Sequence, residues 1–153
     1  MSVFQQQGKV KLVKGSILTP QNAGLRFILN FTSLAGKVDG EVYSLFDKKW
    51  AKAKSDAKAW YANKTGQYKL GAINNTAVQS DTWVMHMLCQ KEDGTVDSVG
   101  LQECLKKICE AAKYEHASVH VSTLLVDQAP EMKDLVEKEL LQKGISVSYY
   151  EEA

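Results

Sequence analysis

The spacing of apolar positions changes along this chain, and the changes predict alternating strands and helices. Residues 9–13 alternate charged and apolar side chains (Lys9, Val10, Lys11, Leu12), which predicts a short strand with one wet face, ended by Gly15. A turn cluster, Thr19-Pro20-Gln21-Asn22, follows. Residues 25–31 are nearly all apolar, as expected of a strand covered on both faces. Between positions 38 and 61, Val42, Leu45, Phe46, Trp50, Ala53, Ala57 and Trp60 recur at steps of three and four. That stripe predicts a long amphipathic helix or helix pair, with Asp39 at the capping position and Asn63-Lys64-Thr65-Gly66 at its end.

The second half repeats the alternation. Tyr68, Leu70 and Ala72 predict a strand over residues 67–73, broken by Asn74-Asn75. Trp83-Val84-Met85-His86-Met87-Leu88-Cys89 is the most apolar run and predicts a central strand. Asp97 or Ser98 caps a helix whose buried stripe is Leu101, Cys104, Leu105, Ile108 and Ala112. Residues 119–126 predict another strand. Pro130 and Glu131 then suit the first turn of a helix that buries Met132, Leu135, Val136 and Leu140 and closes at Gly144. Residues 145–150 form the last expected strand, with Ile145, Val147 and Tyr149 on one face. The whole predicts an α/β fold: a mixed sheet of about six strands with helices on both sides, residues 1–153 forming one domain.

Composition narrows the class without choosing a chemistry. At 153 residues, 44% apolar and 24% charged, the chain is expected to be globular and to fill one core. Its net charge of +1 gives no global attraction to nucleic acid or anionic membrane. No apolar run approaches the roughly 18 residues that span a bilayer, and residues 1–8 are polar and glutamine-rich, unlike a signal peptide. Cys89, Cys104 and Cys109 cannot all pair, so reduced, packed thiols and a cytoplasmic location are expected. The spacing of Cys104, Cys109 and His116 matches no structural zinc pattern, and no metal or cofactor is implied. Lys48, Lys49, Lys52, Lys54 and Lys58 against Asp47 and Asp56 read as a solvated helix face, with RNA binding as the alternative.

One stretch carries candidate chemistry. Ile28-Leu29-Asn30-Phe31 reads as a buried strand end, and Gly36-Lys37-Val38-Asp39-Gly40-Glu41-Val42 as a two-glycine loop entering a helix. Such a junction aims backbone N–H groups at one spot outside a sheet, where a phosphorylated ligand is held; the same glycines also serve a plain turn. His86, alone on an apolar strand, reads as a core histidine with a hydrogen-bonded ring.

In order and residues the chain resembles the macro domain, the family that binds ADP-ribose, nearly end to end. Val13-Lys14-Gly15-Ser16-Ile17 is similar to the family's first-strand exit, and Ile28-Leu29-Asn30 to the strand end before its first phosphate loop. Gly36 to Gly40 matches that loop, running into a Val-Asp-Gly-Ala-Ile-type helix start. The segment 69–90 resembles the branch that removes ADP-ribose from acidic side chains. The resemblance implies ligand contacts from Ser16, Ile17, Asn30, Gly36, Lys37, Val38, Asp39 and Gly40. It adds a second phosphate loop at Ser122, Thr123, Leu124, Leu125, Val126 and Asp127, and an adenine stacked on Tyr149 or Tyr150.

Several positions depart from the family. Ser16 stands where an acidic residue accepts from the adenine amino group. Ser33 replaces a second asparagine of catalytic members, and Gln90 a nucleophilic lysine, with Lys91 turned to the other face. The second loop holds no glycine. A hydrogen bond to a charged group contributes about 1.5–3 kcal/mol. Losing two costs roughly 3–6 kcal/mol, against about 4 separating micromolar from millimolar binding. The expected function is therefore a noncatalytic module for ADP-ribose, ADP-ribosylated protein or a related nucleotide diphosphate. The alternatives are an ADP-ribosyl hydrolase using Asp39, Asp127, His86 or Lys91, and a scaffold for protein or RNA.

Overall fold

The computed structural model describes residues 7–64 and 68–152. Residues 1–6, and with them most of the glutamine-rich start, lie outside the described residues, as do Thr65 and Gly66 of the expected helix end. Six strands form one sheet: β1 (Val10–Lys14), β2 (Arg26–Ser33), β3 (Ile73–Gln79), β4 (Thr82–Gln90), β5 (Ser118–Ser122) and β6 (Val147–Glu151). Their spatial order is β1-β6-β5-β2-β4-β3, parallel throughout except for the β3–β4 hairpin. Among the described residues, five helices complete the fold: α1 (Glu41–Phe46), α2 (Ala51–Asn63), α3 (Ser98–Glu115), α4 (Thr123–Gln128) and α5 (Met132–Glu139), with a 3-10 turn at Leu141–Lys143.

Side chains alternate across the sheet, so register separates its two faces. Asn30 and Thr32 of β2 lie beside His86 and Leu88 of β4, and His120 of β5 beside Ile28. That face meets α1 and α2, through Tyr43 on His86 and Trp60 against Leu88. The other face carries Phe27 stacked on Trp83, together with Val119 and Val121, under α3, α4 and α5. The result is the expected three-layer α/β/α arrangement.

Most local expectations hold, with instructive exceptions. Asp97 caps α3, accepting from the Gly100 N–H at 2.8 Å. Leu101, Cys104, Leu105, Ile108 and Ala112 are all buried, and the three thiols are free and buried. The long helix is a pair, interrupted at Asp47-Lys48-Lys49 before Trp50. Asp39 is not its cap: Gly40 holds that position and no side chain bonds to it.

The strand expected at 67–73 lies later in the chain. Residues 68–72 form a turn, and β3 runs through Asn74-Asn75 instead of ending there. Its one fully inward side chain, Thr76, bonds the buried His86, so a polar strand is what this edge requires. The strand expected through Val126 stops at Ser122, whose hydroxyl accepts from the Leu124 N–H at 3.2 Å and starts α4. The expected apolar face of β1 is uncovered: Val10 and Leu12 are each 61% exposed.

Candidate functional site

β2 and β5 are parallel neighbours whose chains leave the sheet in opposite directions, β2 toward α1 and β5 into α4. A crevice opens outside strand ends at such a switch point. Here it is a cleft of about 80 Å³. Asn30, Phe31 and Ser33 form its floor, Lys37, Asp39 and Gly40 one wall, and Leu125 and Gln128 of α4 the other.

The loop between β2 and α1 is held in shape from beneath. Ser33 O accepts from the Gly36 N–H at 3.0 Å, and Ser33 Oγ from the Lys37 N–H at 3.3 Å. Gly36 sits at φ +69°, and a Cβ there would run into the Tyr61 ring. The Tyr68 hydroxyl donates to Ser33 O at 2.7 Å, and its ring meets those of Trp60 and Tyr61 edge-on. Burial raises the Tyr68 phenol to about 12, so it remains a donor at neutral pH. Replacing Tyr68 with Phe is expected to cost about 1 kcal/mol. That lowers Tm by roughly 2–4 °C, read in a thermal melt.

Asn30 is the notable side chain of the floor. It is 3% exposed, and its Oδ1 accepts from the Phe31 N–H at 2.9 Å. Its Nδ2 is buried with no partner. Native interiors rarely leave such a donor unsatisfied. Asn30 is one of the cleft's lining residues, so this unpartnered amide is a donor open to a ligand there.

Beneath the cleft runs a closed polar chain. The Tyr43 hydroxyl lies 2.9 Å from both Thr32 Oγ1 and His86 Nδ1, and His86 Nε2 lies 2.9 Å from Thr76 Oγ1. Burial pushes the His86 imidazole down to about 4 and the Tyr43 phenol well up. Both are therefore neutral at pH 7. With both ring nitrogens engaged, His86 is the hydrogen-bonded core histidine expected from its strand.

The structure brings some of the expected site residues together and separates others. Asn30, Lys37, Asp39, Gly40 and Leu125 line the cleft, with Gly36 and Val38 in the same loop. Ser16 Oγ accepts from the Leu18 N–H, and the Ile17 N–H donates to Glu152 Oε2 at 2.7 Å. Ser122 is fully buried as the α4 cap. Thr123, Val126, Asp127 and Tyr149 line a different groove beside Val10 and Leu12. Tyr150 is buried, accepting from the Gln21 N–H and lying 2.8 Å from His120 Nδ1. Where a second loop was expected, α4 stands, and the buried Leu125 narrows the cleft.

Other hydrolase candidates are dispersed. Lys91 is exposed in the turn after β4, and Gln90 lines the cleft while its amide donates to Gly94 O at 3.1 Å. Glu41, Val42, Tyr43 and Gly94 also line the cleft and were not among the expected ligand contacts. Glu41 in the first turn after Gly40 was the readable signal among them. Among the described residues, no group of three or more His, Cys, Asp or Glu is placed to hold a metal ion. Nor is any helix long and apolar enough to cross a membrane.

A crevice at the switch point of a mixed sheet, with a two-glycine loop above it, is where open α/β sheets hold their ligands. No family model matches the chain, and no curated protein matches it by sequence. Solved structures do match. A macrodomain protein from Streptomyces coelicolor superposes with TM-score 0.86 and 21% identity, over 93% of this chain and 98% of that one. A protein from Bacteroides thetaiotaomicron superposes with TM-score 0.85 and 22% identity, over 94% and 99%. The Thermosipho africanus DarTG in complex with ADP-ribose gives TM-score 0.71 and 15% identity, over 94% of this chain and 41% of that one. The chain has the macro domain fold.

Proposed function

We propose that this protein is a noncatalytic module that binds ADP-ribose, free or attached to a cytoplasmic protein, or a related nucleotide diphosphate. The observation that carries the reading is the buried, unpartnered Nδ2 of Asn30 at the floor of the switch-point cleft. A ribose or phosphate oxygen supplies the acceptor this donor lacks. The loop N–H groups after Lys37 and the Lys37 ammonium add contacts from above. The shared fold with a protein solved in complex with ADP-ribose supports the same ligand.

Two features keep the affinity modest. The cleft of about 80 Å³ takes one phosphate or sugar ring, well below the ~300 Å³ of an ordinary ligand pocket, so the remaining ligand lies outside it. At the mouth, the exposed Asp39 and Glu41 outnumber Lys37 and oppose a diphosphate. Binding in the micromolar-to-millimolar range is expected.

A noncatalytic role fits the placement of the reactive groups: His86 is sealed, Lys91 is exposed in the turn after β4, Asp127 lines a different groove, and Asp39 lies exposed at the mouth. Calorimetric titration with ADP-ribose tests the reading. Asn30→Ala is expected to weaken binding about tenfold, one lost hydrogen bond. No heat and no thermal shift at millimolar ligand would end it. Incubation with ADP-ribosylated protein is expected to leave the label in place; its release over hours would make the protein a hydrolase.

A further inference from the structure

Charge is unevenly spread over this molecule. The stretch 47–64 holds six lysines against two aspartates, a net +4 in a chain whose total is +1, which leaves −3 for the rest. Three of these lysines are occupied. Lys49 Nζ donates to Leu18 O at 2.7 Å, Lys54 pairs with Asp47 at 3.0 Å, and Lys64 lies 4.1 Å over the Tyr61 ring. The other three, Lys48, Lys52 and Lys58, are exposed, and among the described residues their ammonium groups have no hydrogen-bond or ion-pair partner. They project from the turn before α2 and from its solvent side, opposite the buried Ala53, Ala57 and Trp60.

We propose that this lysine face of α2 binds single-stranded nucleic acid through its phosphates. The ligand must be a polyanion, because clustered ammonium groups without carboxylate partners are the feature the surface offers. A membrane is the poorer fit. A helix that lies on a bilayer needs an exposed apolar side, and that of α2 is spent in the core. A folded acidic protein is poorer too, since exposed aromatic anchors dominate such interfaces, and Trp50 and Trp60 are each only 6% exposed. Three ammonium groups on the exposed side of one helix and the turn before it meet phosphates without reading base edges, a contact that a flexible single strand accommodates.

The surface is distinct from the cleft, although the two adjoin where Tyr61 covers Gly36. The inference stands independently of the ADP-ribose reading. Three phosphate contacts on a single strand give a slope of log K against log salt of about −2, roughly hundredfold weaker binding per decade of salt.

The test uses a fluorescent oligothymidylate, followed by anisotropy between about 20 and 200 mM salt. The wild type is expected to bind at low salt with that slope. The Lys48→Glu/Lys52→Glu/Lys58→Glu variant is expected to lose at least tenfold in affinity while keeping its melting temperature and its ADP-ribose titration. Asn30→Ala is expected to do the reverse, keeping the oligonucleotide. The proposal is overturned by absence of binding at low salt, by a salt-insensitive isotherm, or by unchanged binding in the triple variant. Sedimentation with phosphatidylserine vesicles in place of oligonucleotide binding would equally overturn it and assign the face to a membrane.

Discussion

Acidification from pH 6.5 to 4 is expected to remove most of this protein's stability, because two buried histidines must take up protons to unfold it. His86 and His120 are both inaccessible to solvent, and both ring nitrogens of each are engaged, His120 by Ser118 and Tyr150. Burial holds each imidazole near about 4, helped at His120 by the charges of Arg26 and Lys11. In the unfolded chain each titrates near 6.5. The folded value is depressed, so the contribution is complete above 6.5 and is lost as pH falls toward 4. At pH 4 each site costs about 3 kcal/mol, and the pair about 6, against a typical total of 5–15 kcal/mol. Circular dichroism against pH should show cooperative unfolding in the pH 4–5 region. Denaturant titrations should give a slope approaching 2.7 kcal/mol per pH unit, roughly two protons. A native signal retained unchanged at pH 3.5, or His86 or His120 resonances titrating near 6.5 in the folded protein, would contradict the assignment.

Gly36→Ala is expected to destabilise the fold by about 2–4 kcal/mol and to abolish measurable ADP-ribose binding. Two costs combine: a left-handed backbone that an L side chain resists, and a Cβ driven into the Tyr61 ring. The ring cannot yield freely, since it packs edge-on to Tyr68 and carries Lys64 above it. Removing the ring in Gly36→Ala/Tyr61→Ala relieves the collision and leaves the dihedral cost. A double-mutant cycle should therefore return a coupling of at least about 1 kcal/mol. Additive effects would mean that loop and ring are independent, and the account of how the loop is held would fall.

Much of the fold could be read from period alone, because the elements that decide it are buried on predictable faces. β4 is apolar on both sides and α3 has a clean stripe with its Asp97 cap, so both stood out. The misreadings share a cause: short elements whose conformation is set by neighbours. Thr123 to Val126 is rich in β-branched and aliphatic residues, which suggests strand, yet the Ser122 hydroxyl and the packing of Leu125 make it helix. β3 looks polar because it is an edge, and its inward Thr76 serves His86 instead of an apolar core. Val10 and Leu12 alternate as a half-buried strand should, but both stay exposed beside a groove edged by α4.

The candidate site was legible in its first half only. The junction from Asn30 to Gly40 announced itself through two glycines after a buried strand. The second half did not, since the family pattern led to a phosphate loop at residues 122–127, and a helix stands there instead. The free amide of Asn30 had no sequence signal at all, because satisfaction of a side chain depends on partners distant along the chain.

A crystal structure of the protein with ADP-ribose tests the central claim most directly. A ribose or phosphate oxygen is expected within hydrogen-bonding distance of Asn30 Nδ2, in the crevice between β2 and β5. Ligand bound elsewhere, with that amide still unpaired and Leu125 unmoved, would contradict it.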